Sequence, residues 1–226
     1  MPAPGRSVKA DSLGVGVATG AYGVSFGALA TASGLDVWQA CALSLLVFTG
    51  ASQFAFVGVV AAGGVPLAGA ATSILLGSRN LFYGIGLAPV LRLRGWRRVL
   101  GAQLVIDEST AMALGQSDRD EARLAFRLTG VSVFVLWNLM TLAGALAGTA
   151  IGDPRTFGLD AAVGGAFLAL LWPRLTAFPQ RVVAIVGAAV ATGLVPFTAA
   201  GLPIILGGAA AVAVGLALPS GKRGSG

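Results

Sequence analysis

Apolar residues run in long blocks with hardly any strand-like alternation, at 13–33, 37–62, 66–91, 99–114, 128–150, 159–172, 182–198 and 202–218. Blocks of this length read as membrane-spanning helices, because a straight crossing takes about 20 apolar residues. The blocks at 99–114 and 159–172 fall short of that. Turn residues punctuate them: Gly34-Leu35-Asp36, Gly63-Gly64-Val65-Pro66, the stretch 92–98, the polar segment 115–127, Gly152-Asp153-Pro154 and Trp172-Pro173-Arg174. The pattern predicts an all-α polytopic transmembrane bundle of about six to eight membrane segments, with broken or re-entrant half-helices. It also predicts a single transmembrane domain over 13–218. The tails, 1–12 and 219–226, are expected in the cytoplasm.

Composition agrees with that picture. The chain is 56% hydrophobic and 11% charged, with 34 glycines among 226 residues, and its mean hydropathy is +0.85. A soluble domain carries about 25% charged residues. Small residues are what let helices approach closely in lipid. The net charge of +6 does not point to nucleic acid, since Arg92, Arg94, Arg97 and Arg98 cluster at the end of an apolar block, as cytoplasmic anchors do. A single cysteine, Cys41, precludes an internal disulfide, and the chain contains no histidine. No zinc motif, Cys/His nucleophile or phosphate-binding loop is present, so no enzyme, cofactor or metal is expected.

Two topologies fit the blocks. In the first, the N-terminus is cytoplasmic and 66–91 enters and returns, breaking at 77–80, while 99–114 does the same around Asp107-Glu108. All the basic loops then face the cytoplasm, as the positive-inside rule requires. In the second, every block is a plain span and the N-terminus lies outside.

Arg79 is the residue that demands explanation, about 13 residues from either end of the block 66–91. A central arginine facing lipid costs about 2.5–3.5 kcal/mol or more, and nearly 20 Å of helix is too far to snorkel. It is expected to face an interior cavity, binding a substrate carboxylate, or to pair with a protein acid. Asp107 and Glu108 interrupt 99–114; one suits neutralising Arg79 or a substrate ammonium, the other a coupling proton, or they open a loop. Thr49-Gly50-Ala51-Ser52-Gln53-Phe54 reads as a locally opened helix. There Ser52 and Gln53 line a site, or Gln53 braces neighbouring helices. Asn80 and Tyr83 complete the candidate substrate-binding set. Tyr22 and Asn138 are assigned to packing.

Four motifs in order, Gly50-Ala51-Ser52-Gln53-Phe54, the stretch 77–84 "GSRNLFYG", Ile106-Asp107-Glu108 and Pro203-x-Ile205-x-x-Gly208, resemble the AzlC family over roughly 11–218. The resemblance implies the large subunit of a bacterial inner-membrane exporter of branched-chain amino acids (valine, leucine, isoleucine, methionine) driven by the proton gradient. It also implies a small AzlD-type membrane partner. The family has a histidine after the arginine where this chain has Asn80, so no imidazole relay operates and coupling falls to Asp107 or Glu108. Where the family has leucine-threonine before the acidic pair, this chain has Val105-Ile106. A non-transporting scaffold subunit and a passive pore for small amino acids are the competing expectations.

Overall fold

The computed structural model describes residues 7–151, 168, 171, 172 and 175–218. The expected turn at 152–158 and almost all of the block 159–172 lie outside them, as do most of the N-terminal tail and the C-terminal tail. No strand occurs among the described residues. The helices are α1 (Val8–Ala21), α2 (Gly23–Ala32), α3 (Val37–Leu46), α4 (Ala51–Ala61), α5 (Pro66–Gly77), α6 (Arg79–Leu91), α7 (Trp96–Gln103), α8 (Asp107–Leu114), α9 (Arg119–Ile151), α10 (Phe178–Leu194) and α11 (Leu202–Ala217).

Helix ends follow their caps rather than the edges of the apolar blocks. The Ser7 side chain accepts from the Ala10 N–H and starts α1 at Val8, five residues ahead of the apolar block. Asp36 and Gln39 exchange side-chain-to-backbone bonds and fix the start of α3. The Asp118 carboxylate accepts from the Asp120 and Glu121 N–H groups. The polar stretch 119–127 is therefore the first turns of α9, a 33-residue helix about 50 Å long.

α9 is the spine. α1 and α2, bent at Tyr22, run beside it as one 25-residue segment long and apolar enough to cross a membrane. Gly16 abuts Ser132, Gly20 abuts Leu136, Gly27 abuts Thr141 and Ala145, and Thr31 reaches Gly148. Sequence numbers rise together on both partners, so the two segments are parallel and their N-terminal ends share one face of the bundle. A Cβ at Gly27 would strike the Thr141 carbonyl oxygen, and one at Gly144 the Val24 carbonyl oxygen. Glycine is thus what permits backbone-to-backbone contact here.

The block 37–62 is not a plain span. Ser44 bonds Thr141 and Phe48 packs edge-on to Phe134, so α3 runs antiparallel to α9. Beyond the break at 47–50 the chain reverses. Gln53 Nε2 donates back to the Leu43 carbonyl, and the Phe54 ring meets Tyr22 and Phe26 of the ascending segment. Gly50 makes the reversal with φ +62 and ψ −89, a region side-chain-bearing residues avoid. α3 and α4, at 10 and 11 residues, are each about 15 Å long, half the hydrocarbon thickness.

The block 66–91, in contrast, does not turn back. Ser78 keeps right-handed helical dihedrals and its N–H still bonds the Ile74 carbonyl, so α5 and α6 form one 26-residue crossing. Gly69 lies against Phe56 and Gly77 near Ser52, which makes α5 antiparallel to α4. At its far end, the Val90 carbonyl accepts from Arg123 at the start of α9. The expectation that 66–91 dips and returns is thereby corrected: the dip belongs to 37–61, where Gly50 supplies the reversal that Ser78 does not.

The segment 96–114 dips from the other face, as the first of the two topologies has it for 99–114, with the break just ahead of Asp107 and not around Asp107-Glu108. α7 carries Trp96 and Arg97 in a cation–π contact, and Gln103 at its end donates to the Leu45 carbonyl. Residues 104–106 break the helix. The Ser109 hydroxyl pins the break by donating to the Leu104 carbonyl at 2.6 Å and accepting from the Ile106 N–H. α8 then returns, packing Ala113 with Leu87 and Phe126. α10 and α11 form a hairpin joined by a short 3₁₀ turn, Val195–Phe197. It touches the body through α5, with Gly208 facing Leu75 and Gly201 facing Ala68.

Candidate transport site

Four helix discontinuities meet at one depth: the bend at Tyr22, the reversal at 47–50, the seam at Ser78, and the break at 104–106. Around them lies a cavity of about 560 Å³. Its polar wall holds Thr49, Arg79, Asp107 and Glu108, and its apolar wall Phe48, Phe54, Val133 and Trp137. Non-helical backbone at this depth is tolerated because protein and cavity, not lipid, surround it.

Arg79 opens α6, and its Nη2 lies 2.7 Å from Asp107 Oδ2 and donates to the Thr49 carbonyl at 3.3 Å. One guanidinium thus ties together three of the discontinuities. The other carboxylate oxygen of Asp107, the first residue of α8, accepts from the Tyr83 hydroxyl at 2.6 Å. Tyr83 sits one helical turn beyond Arg79, so both address the same carboxylate. The side chains of Arg79 and Asp107 keep 31% and 25% of their surface exposed. The pair therefore borders open space instead of being sealed in a core. Nε of Arg79, Oγ1 of Thr49 and Nε1 of Trp137 are buried without hydrogen-bond partners.

The apolar wall is an aromatic cluster. Trp137 stacks on Phe26 with centroids 6.1 Å apart, and Phe54 stands edge-on to both. Phe48 closes the set through Phe134.

Of the residues singled out from sequence, Arg79, Asp107 and Glu108 line this cavity, and Tyr83 reaches it through Asp107. Gln53 does not: it is fully buried, and its amide accepts from the Gly50 N–H and donates to Leu43, bracing the reversal. Ser52 lines a second cavity on the far side of the 47–50 break. Asn80 is half-buried and lines neither cavity. Tyr22, assigned to packing, lines the first cavity at the bend between α1 and α2. Trp137 and Thr49 were not singled out. Thr49 was signalled by the motif it begins, whereas Trp137 lies in an unbroken helix where an aromatic reads as core.

Comparison with known proteins follows the same segments. The sequence model of the family described as AzlC protein matches residues 14–151, which contain all four discontinuities. The chain belongs to the AzlC family. Among curated AzlC-like relatives, inner membrane protein YgaZ of Escherichia coli (strain K12) is 29% identical over 192 residues, covering 80% of this chain and 77% of YgaZ. No solved structure matches the chain. The matched stretch of this AzlC protein ends with α9, so the C-terminal hairpin lies beyond it.

Proposed function

We propose that this AzlC-family protein exports branched-chain amino acids from the bacterial cytoplasm, coupled to the proton gradient and working with a small AzlD-type membrane subunit. The observation that carries the reading is an arginine–carboxylate pair at mid-depth in a cavity whose opposite wall is aromatic and aliphatic. A zwitterion with an apolar side chain fits that division: its carboxylate takes the place of Asp107 on Arg79, its ammonium turns to Asp107 and Glu108, and its side chain meets Trp137 and Phe54. The cavity is within the range of about 300–1,000 Å³ usual for small-molecule sites. Half-helices whose ends converge on a mid-membrane site are the common construction of secondary transporters.

Orientation in the membrane is read from charge. Lys9, Arg92, Arg94, Arg97, Arg98, Arg119, Arg123 and Arg127 all lie on the face where α1 and α9 begin, the face that the positive-inside rule assigns to the cytoplasm. Because the chain has no histidine, the coupling proton falls to Asp107 or Glu108. A proton on Asp107 would cancel its charge toward Arg79 and free the guanidinium for substrate.

Efflux of valine and leucine from loaded vesicles tests the reading. A charge-assisted hydrogen bond is worth about 1.5–3 kcal/mol, so Arg79→Ala weakens apparent affinity roughly ten- to hundredfold. Wild-type efflux from that variant removes Arg79 from the site. If an Arg79→Asp, Asp107→Arg exchange restores folding with full efflux, the pair is structural instead.

A further inference from the structure

A second cavity of about 540 Å³ lies between α3, α4 and α5, and nothing in the proposed transport site uses it. Its lining runs from Gly77, Ser78 and Thr49 at mid-depth up to Phe56 and Ala70, toward the turns at 33–36 and 62–65. Those turns lie on the face opposite the basic loops. The first cavity takes in Asp107 and Glu108 of the segment that dips from the basic face. Thr49 lines both cavities, so the backbone of 47–50 is the septum between them.

Two buried hydroxyls and one bond of the transport site border this cavity. Ser52 is fully buried and lines it, with its hydroxyl unpartnered. Thr49 Oγ1 is likewise buried and unpartnered. Buried hydroxyls without partners cost free energy unless something polar visits them. The septum itself is held by a contact that belongs to the transport site: Arg79 donates to the Thr49 carbonyl while pairing with Asp107. A substrate carboxylate that takes Nη2 of Arg79 competes with both bonds, which loosens the septum at the moment the first cavity fills.

Resting on the exporter reading, we propose that the second cavity is the exit vestibule, a separate binding site for the same branched-chain amino acid. Leu43, Val47, Phe56 and Ile74 receive its side chain, and its polar end reaches the Ser52 and Thr49 hydroxyls, which stay buried behind the wall until the septum moves. The septum opens when Arg79 lets go of Thr49.

The test attaches a blocking group after folding. Cys41 is replaced by alanine, Ser73→Cys places a thiol in the second cavity, and a charged, membrane-impermeant methanethiosulfonate is applied from the face of the 62–65 turn. Ala70→Cys is the second position, and Leu67→Cys, on the exposed side of α5, is the control. Valine efflux and equilibrium valine binding are compared before and after modification of each protein. The expected result is reaction at position 73 or 70, loss of efflux, and valine binding that falls from two sites to one, with the control unaffected. Failure of both thiols to react, unchanged efflux after modification, or an unchanged number of bound valines overturns the vestibule and leaves a lipid-facing crevice. Loss of all binding together with efflux also overturns it, because the two cavities are then one site. If the unmodified proteins neither bind nor release any branched-chain amino acid, the exporter reading itself fails.

Discussion

Arg79 donates to a neighbour's backbone and also pairs with Asp107, which itself accepts from Tyr83. This small network replaces the hydration that the guanidinium loses at mid-membrane depth, and it needs Thr49 and Asp107 to stand where a helix has been interrupted. Gly50 is the residue that makes the largest interruption possible. An added Cβ there meets nothing within 4 Å, so the penalty for a side chain is conformational, not steric. Gly50→Ala is expected to lose about 1–3 kcal/mol of stability, read as a lower unfolding temperature in detergent. Gly58→Ala, helical and equally uncrowded, serves as the control and is expected to match or exceed wild type. That Arg79 faces an interior cavity or an acid was legible in the sequence, since insertion cost excludes lipid; that it does both was not. That Gln53 braces backbone was not decidable there, because a buried amide serves a site or a turn with the same residue type.

Among elements, the contrast between 37–61 and 66–91 is instructive. Both blocks are long and apolar, and both hold polar residues near the centre. The reversal went to the one whose central glycine takes a positive φ, and hydropathy does not register φ. Charge patterning nevertheless placed the basic loops on one face, because that placement needs one dip among the first three blocks and not a particular one. α9 reaches beyond its apolar block. Its first turns are charged and belong to the polar segment that punctuates the sequence, yet Asp118 caps them, and the backbone N–H groups of Glu121 and Asp120 hold its carboxyl below its ordinary value. A lowered folded value means the cap stabilises fully above the unfolded carboxyl value and is lost as pH falls through the folded one. In Asp118→Asn the cap has no such dependence. The stability advantage of wild type over this variant is therefore expected to shrink as pH is lowered below the usual aspartate range, measured by thermal unfolding across acidic buffers.

At the scale of the whole molecule, two segments dip from opposite faces and meet at the same depth, with a continuous crossing between them. The arrangement commits particular turns to particular faces. In intact bacterial cells, Val65→Cys in a Cys41→Ala background is expected to react with an impermeant thiol reagent, and Arg94→Cys only after the membrane is opened. Reaction of both from the same face contradicts the opposed dips. Sequence showed the class and the family over most of the chain, since four short motifs held their order. It did not show that the cavity's apolar wall is assembled by Phe26, Phe54 and Trp137, because contacts as much as 111 residues apart leave no local pattern.

That long separation has a consequence for biosynthesis. The glycine face of α1 and α2 is complementary only to α9, which leaves the ribosome about 120 residues later, roughly 6–25 s at ordinary elongation rates. Throughout that interval the first crossing of the chain sits in the bilayer with its closest-packing surface uncovered. Membrane-resident chaperones, the insertion machinery and quality-control proteases all have access to it then. Large side chains on that face are thus expected to act early, on how much protein survives assembly, before they act on anything the finished molecule does.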